Sequence, residues 1–323
     1  MPEAFFSVLI ILLTIFFLSP GLRAESSGPR LMAASYPVWL FTRYLTYGRD
    51  FFQVELLTNP ETGCPHEYAP QPRDLERLSQ SRILVRNGLG LETYLERALK
   101  VAPKDIIIID ASKDLPTLAV SWGRLDLGSA AGRTAADEGQ SPLEPNAHIF
   151  SSPRLAGLMA QNIAAGLAQA DPEGAGYYQE RLTAFKADMD YLNSFILSFN
   201  ESRRGYRIIT SHGFMDYLAQ DLGLVILADI EPAPETPPSA ARLEALASLI
   251  KSGGLAAVLT DPHGDLDMAR TLAAEGQVPA AVIDPVTAGP ADPEPDYYQK
   301  VIRENLILLA RLLPANAQIE TAP

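Results

Sequence analysis

The chain has 323 residues, 47% hydrophobic and 20% charged, which is material for about two domains with a sizeable core and excludes a disordered or fibrous protein. Its 39 acidic residues against 26 Lys and Arg give a net charge of −13, so no basic face is available to a phosphate backbone and no nucleic acid partner is expected. The single cysteine, Cys64, excludes an intramolecular disulfide.

Residues 4–18 read AFFSVLIILLTIFFL, 15 residues without a charge, followed by Ser19-Pro20-Gly21-Leu22-Arg23-Ala24. A membrane-spanning helix wants about 20 apolar residues, so this run predicts a secretory signal peptide over 1–24. The alternative is an uncleaved N-terminal anchor. Either reading makes the protein exported, periplasmic or otherwise extracytoplasmic. No cysteine follows the apolar run to take a bacterial lipid.

Short β-rich runs then alternate with amphipathic helical ones. Strands are expected at 31–36, 51–57, 83–86 and 106–110, with helices at 37–47, 72–79 and 92–101. A connection rich in Gly, Ala, Pro and acidic residues occupies 113–147, and loops of that length are usually functional or mobile. Helices are expected at 153–170 and 173–199, broken at Asp171-Pro172, where proline suits a first helical turn. The second would extend on the order of 40 Å at 1.5 Å per residue, long enough to run the length of two lobes. Strands return at 207–210, 224–228, 256–260 and 280–283, with helices at 214–221, 240–251 and 267–274. Such alternation predicts an α/β protein: two lobes, each a four-stranded, largely parallel sheet flanked by helices, joined by one long helix. The expected division is 25–150 for the first lobe, 151–200 for the helical region and 201–323 for the second lobe.

Four histidines occur, His66, His148, His212 and His263. The first lies after the second strand, His148 at the end of the long connection, and His212 directly after the fifth strand. Asp284 ends the eighth strand. Side chains just beyond the carboxyl ends of parallel strands gather in the crevice where open α/β sheets bind ligands. Three imidazoles and a carboxylate suit Zn2+, whereas Ca2+ and Mg2+ want oxygen donors. The wide spacings exclude a local zinc finger, and four protein ligands would close the coordination, which suits carriage rather than activation of water.

The motifs His66-Glu67-Tyr68 with Gln71-Pro72-Arg73-Asp74-Leu75, Asn146-Ala147-His148-Ile149-Phe150 with Ser152-Pro153, Thr210-Ser211-His212-Gly213-Phe214 and Ile283-Asp284-Pro285 follow one another in order. In them the chain resembles the metal-specific solute-binding proteins of bacterial ABC importers, the TroA-like or cluster A-I family, and its zinc-binding members in particular. The resemblance implies a metal cleft between two lobes, His66, His148, His212 and Asp284 as ligands, and Zn2+ as transported cargo. It further implies an ABC permease at the inner membrane as partner, a periplasmic zinc chaperone as a further partner, and a monomer. Manganese and iron members typically carry Glu at the third position, so His212 points to zinc. Two departures stand out: no histidine-rich loop lies between Glu67 and Ala147, and Asn146-Ala147 precedes His148 where Asp-Pro is frequent. The 113–147 connection offers Asp114, Asp126, Asp137, Glu138 and Glu144 instead.

Cys64 lies two residues before His66, where a thiolate would be a strong zinc ligand, but Pro65 between them argues against both side chains pointing inward, so a buried or loop thiol is expected, with ligation as the alternative. His263 is expected in a surface turn, with a transient metal-ligand role as the alternative. Asp261 is a candidate for orienting a ligating histidine. The competing functions are a manganese or iron importer component, a zinc hydrolase with Asp284 as base, and an exported adhesin or scaffold. No HExxH, GxSxG or P-loop motif supports catalysis.

Overall fold

The computed structural model describes residues 28–120, 123–125, 144–233 and 236–315. The proposed signal peptide lies outside them, as do Asp126, Asp137 and Glu138 of the long connection.

The first half runs β1 (Arg30–Ala33), α1 (Tyr36–Thr46), β2 (Gln53–Leu56), α2 (Pro72–Ser79), β3 (Ile83–Arg86), α3 (Leu95–Ala98) and β4 (Ile107–Asp110). Its strands form a sheet in the order β2-β1-β3-β4, and every pair is parallel. Two helices follow, α4 (Pro153–Ala170) and α5 (Ala175–Arg203). The second half runs β5 (Arg207–Thr210), α6 (Asp216–Leu222), β6 (Val225–Asp229), α7 (Ala240–Lys251), β7 (Leu255–Thr260), α8 (Leu266–Gly276), β8 (Ala280–Val282) and α9 (Tyr297–Leu312). Its sheet repeats the topology, β6-β5-β7-β8, again with all pairs parallel.

Both sheets are therefore built from strands that need covering on two faces. In the first lobe Met32, Leu84, Tyr94 and Leu95 pack on one side, and in the second Ile209, Val258, Leu246 and Leu272 do so. The opposite faces share one continuous core in which Leu31, Val85, Ile208 and Leu259 meet the helices between the lobes. Helix α5 is the spine of that core. Its buried residues Tyr178, Leu182, Phe185, Met189, Leu192, Ile196 and Phe199 recur at spacings of 4 and 3 and form one stripe. Phe185 packs edge-on against Phe41 of α1, with ring centroids 5.4 Å apart, and also touches Tyr298 of α9. The two lobes are thus tied to a common set of aromatic rings, a rigid arrangement rather than two bodies on a flexible linker.

The elements differ from the sequence reading at three places. Helix α9 was not anticipated, although its buried residues Tyr298, Val301, Ile302, Asn305 and Leu309 have helical spacing. The expected helix over 92–101 contracts to Leu95–Ala98. The buried Glu92 carboxylate accepts hydrogen bonds from the Ser35 hydroxyl (2.7 Å) and the Asn87 and Gly88 amides (2.8 and 3.2 Å), so residue 92 closes a turn instead of starting a helix. Finally, the long connection crosses to the second lobe. Leu125 bridges to Ala228 on β6, and Arg124 pairs with Asp216 at 2.8 Å.

In each sheet the order reverses about the first strand: the chain passes from β1 to β2 on one side and then crosses back to β3 on the other, and β5, β6 and β7 repeat the pattern. A crevice opens at that switch, at the carboxyl edge. The segments that follow β2, β5, β7 and β8, together with the end of the long connection, meet there.

Candidate metal centre

The segment after β2 turns at Gly63, whose φ of +77° favours glycine. The ring of His263, from the second lobe, lies so near that a Cβ at Gly63 would come within 3.0 Å of it. Pro65–Glu67 then form a single turn of 3₁₀ helix with Cys64 as its extended N-cap. Asp74 fixes the exit of this segment: its carboxylate accepts from the Tyr68 hydroxyl at 2.6 Å, the Gln71 amide at 2.8 Å and Arg77 at 2.9 Å. The Thr93 hydroxyl donates to the His66 carbonyl at 2.9 Å. The Gln71-Pro72-Arg73-Asp74 motif therefore steadies the loop that carries His66.

His148 ends the long connection and is 1% exposed. The Asn146 side-chain oxygen accepts from the His148 amide at 2.8 Å and lies 3.1 Å from its ring Nδ1. An amide oxygen only accepts, so Nδ1 carries the hydrogen and Nε2 keeps its lone pair. The other end of Asn146 donates to the Gly213 carbonyl at 2.8 Å, beside His212. Asn146 is thus a strut between the two lobes. Sequence reasoning noted it only as a departure from Asp-Pro.

His212 directly follows β5 and is also buried. The His148 ring centroid is 5.5 Å from that of His66 and 5.5 Å from that of His212, so His148 neighbours both of the other imidazoles in the crevice. On its outer side His212 Nδ1 faces Asp261 at 3.6 Å and Glu231 at 3.8 Å. The Ser211 hydroxyl donates to the same Asp261 oxygen at 2.9 Å. Burial pushes His148 well below the ordinary histidine value, helped by the neighbouring His212 and His66. Burial also pushes His212 down, against the opposing pull of Asp261 and Asp216. Both rings are held as neutral imidazole, the form that binds a metal.

Asp284 occupies the same edge but a different neighbourhood. Its carboxylate accepts from the Val286 amide at 2.7 Å, and its own amide donates to Asn305 at 3.1 Å. Burial raises its carboxyl above the usual range, while the Val286 amide and His263 pull it back and Asp261 adds to the rise. His263 is exposed, as expected of a surface turn, and its amide donates to Asp261 at 2.9 Å.

Cys64 departs from expectation. The 3₁₀ turn at Pro65 does not separate the two side chains; it brings the Cys64 sulfur 3.3 Å from His148 Nε2. Among the described residues, one group of three or more His, Cys, Asp or Glu has all its donor atoms within 4.8 Å of one another, and it is Cys64, His66 and His148. The described residues thus gather two imidazoles and a thiol, with the His212 ring 5.5 Å from that of His148, donors suited to Zn2+ and unsuited to hard oxygen-seeking cations.

The family profile described as "Zinc-uptake complex component A periplasmic" matches residues 32–311. The high-affinity zinc uptake system protein ZnuA of Bacillus subtilis is 25% identical over 255 residues, 78% of this chain and 77% of that protein. The zinc-binding lipoprotein AdcA of Streptococcus pneumoniae is 25% identical over 281 residues, 86% of this chain, and the match covers only 54% of its own length. Among solved structures, a crystal structure of ZnuA superposes with a TM-score of 0.72 at 24% identity, covering 89% of this chain and all of that one. The laminin-binding protein Lmb of Streptococcus agalactiae, described as having adhesin and metal-transporting activity, gives 0.72 at 21%, covering 89% and 100%. These named relatives are uptake and binding proteins, not enzymes, and the zinc hydrolase reading falls with them. The profile covers most of the chain, and the chain belongs to the zinc-uptake complex component A family, the metal-binding solute-binding proteins of ABC importers.

Proposed function

We propose that the protein captures Zn2+ in the crevice between its lobes and hands it to an ABC-type membrane permease. The observation that carries this reading is the group of three imidazoles, two from the first lobe and one from the second, of which His148 and His212 are buried and held neutral and are backed by Asn146 and Asp261 respectively. His66, His148 and His212 supply nitrogen donors, and Asp284 offers a carboxylate from the second lobe. The names of the B. subtilis and S. pneumoniae relatives support zinc over manganese. The working units in this reading are the lobes 25–150 and 201–323 with the helical region 151–200 between them, exported by the apolar segment 1–24. Because α5 and its aromatic neighbours form a core common to both lobes, loading is read out by small rearrangements of the crevice loops rather than by a wide hinge.

Deleting the gene in its own host and growing the strain under a zinc chelator tests the delivery step. Growth should fail, and should return with added Zn2+ but not with added Mn2+. Restoration by Mn2+ alone would assign the protein to manganese uptake.

A further inference from the structure

We propose that the Cys64 thiolate is itself a zinc ligand, so that the first lobe alone presents three donors to the incoming ion. This rests on the reading of the crevice as a zinc carrier and adds to it a residue that neither the three histidines nor the carboxylate requires.

The geometry is close to that of a loaded site. Zinc holds thiolate sulfur at about 2.3 Å and imidazole nitrogen at about 2.0–2.1 Å, so tetrahedral angles place S and N about 3.6 Å apart. The Cys64 sulfur and His148 Nε2 stand at 3.3 Å, and a few tenths of an ångström of opening admits the ion between them. The nitrogen concerned is the one that the hydrogen bond to Asn146 leaves with its lone pair. His66 completes the triangle within 4.8 Å. When zinc enters, the thiol gives its proton to solvent and the sulfur takes the metal in its place.

The consequence is a division of labour between the lobes. Cys64, His66 and His148 catch the ion, and His212, whose ring is 5.5 Å from that of His148, closes a four-coordinate set of one sulfur and three nitrogens. Asp284, like His212, lies outside the three-residue donor group, but its carboxylate is held by the Val286 amide, and the four-coordinate set proposed here does without it. A thiolate also biases the site toward soft and borderline ions and against Mn2+. Cys64 is therefore a specificity residue.

Cobalt serves as a spectroscopic probe. Co2+ is titrated into the purified, reduced protein, its Cys64→Ser variant and its Asp284→Ala variant, and zinc affinity is measured by competition. Wild type should bind one Co2+ with visible bands of tetrahedral intensity and a sulfur-to-cobalt charge-transfer band in the near ultraviolet. Cys64→Ser should keep the visible bands, lose the charge-transfer band and bind zinc more weakly by on the order of 10-fold or more, at least the effect of losing an outer-shell partner. Its preference for Zn2+ over Mn2+ should narrow, while Asp284→Ala retains the charge-transfer band. Wild-type protein that binds Co2+ with visible bands but no charge-transfer band overturns the thiolate ligand and leaves the carrier intact. Failure of the wild type to bind Co2+ or Zn2+ overturns both.

Discussion

Asn146 and His148 are bound to each other twice through one oxygen: the Asn146 side-chain carbonyl accepts the His148 amide at 2.8 Å and faces its ring Nδ1 at 3.1 Å. The same side chain reaches the Gly213 carbonyl and Asp216, so the orientation of one imidazole is coupled to the loop bearing another. Partners of this kind typically alter metal affinity by about 10–100-fold. Asn146→Ala should weaken zinc by that factor while the far-ultraviolet circular dichroism stays unchanged. Unaltered zinc competition would show that the ring is held by packing alone.

Asp261 plays the corresponding part for His212, at 3.6 Å from Nδ1. At that distance it acts through charge rather than through a formed hydrogen bond. Asp261→Asn removes the charge and keeps one acceptor oxygen, which can serve the His263 amide while the Ser211 hydroxyl, bound to the other oxygen in the wild type, turns to accept from the new amide NH2. Zinc affinity should fall by on the order of 10-fold. Isothermal titration by chelator competition reads it directly.

Much of this architecture is legible in the sequence because parallel strand–helix alternation leaves little choice of topology. Once β2, β5 and β8 are placed, the residues that follow them share one edge. The long helix is equally visible, since its apolar stripe runs unbroken from Tyr178 to Phe199. What the sequence hid was set by tertiary contacts. Cys64 and His148 are 84 residues apart, and local reasoning about Pro65 could not foresee that a 3₁₀ turn would aim the thiol at that ring. Glu92 looked like a helix residue until the Ser35 hydroxyl and two amides claimed its carboxylate. Helix α9 was missed although its periodicity was present, since it follows the last strand after a proline-rich stretch and lies outside the strand–helix alternation.

The claim that α5 welds the lobes together is tested by two substitutions on its opposite faces. Phe185 is 1% exposed and rests on Phe41, Tyr44 and Tyr298, whereas Tyr191 is 68% exposed. Phe185→Ala should cost about 3–5 kcal/mol of unfolding free energy. Tyr191→Ala should stay within about 0.5 kcal/mol of wild type. Urea denaturation of both, followed through a single transition, decides it; separate transitions for two lobes would contradict a common core.

The buried Glu92 makes a pH prediction. Burial pushes its carboxyl up from 4.5 to about 7, with the Asn87 amide, the Ser35 hydroxyl and the Gly88 amide only partly offsetting that rise. A carboxyl raised in the folded state binds more protons folded than unfolded between those values. Its contribution is therefore fully present below pH 4.5 and is lost as pH rises toward 7, to a total of about 3 kcal/mol. The stability difference between wild type and Glu92→Gln should move against wild type over that interval. The difference is the quantity to measure, because His148 and His212 titrate in the opposite sense. A difference that stays flat with pH would mean the carboxyl titrates alike in the folded and unfolded chain.

The most direct test of the central claim is a competitive titration of the purified protein with Zn2+ and Mn2+, beside His148→Ala and His212→Ala. One tightly held Zn2+ per chain, preferred over Mn2+, is expected, with both variants losing most of that affinity while remaining folded. Preference for Mn2+, or variants that bind zinc as wild type does, would contradict a zinc site assembled from the two lobes.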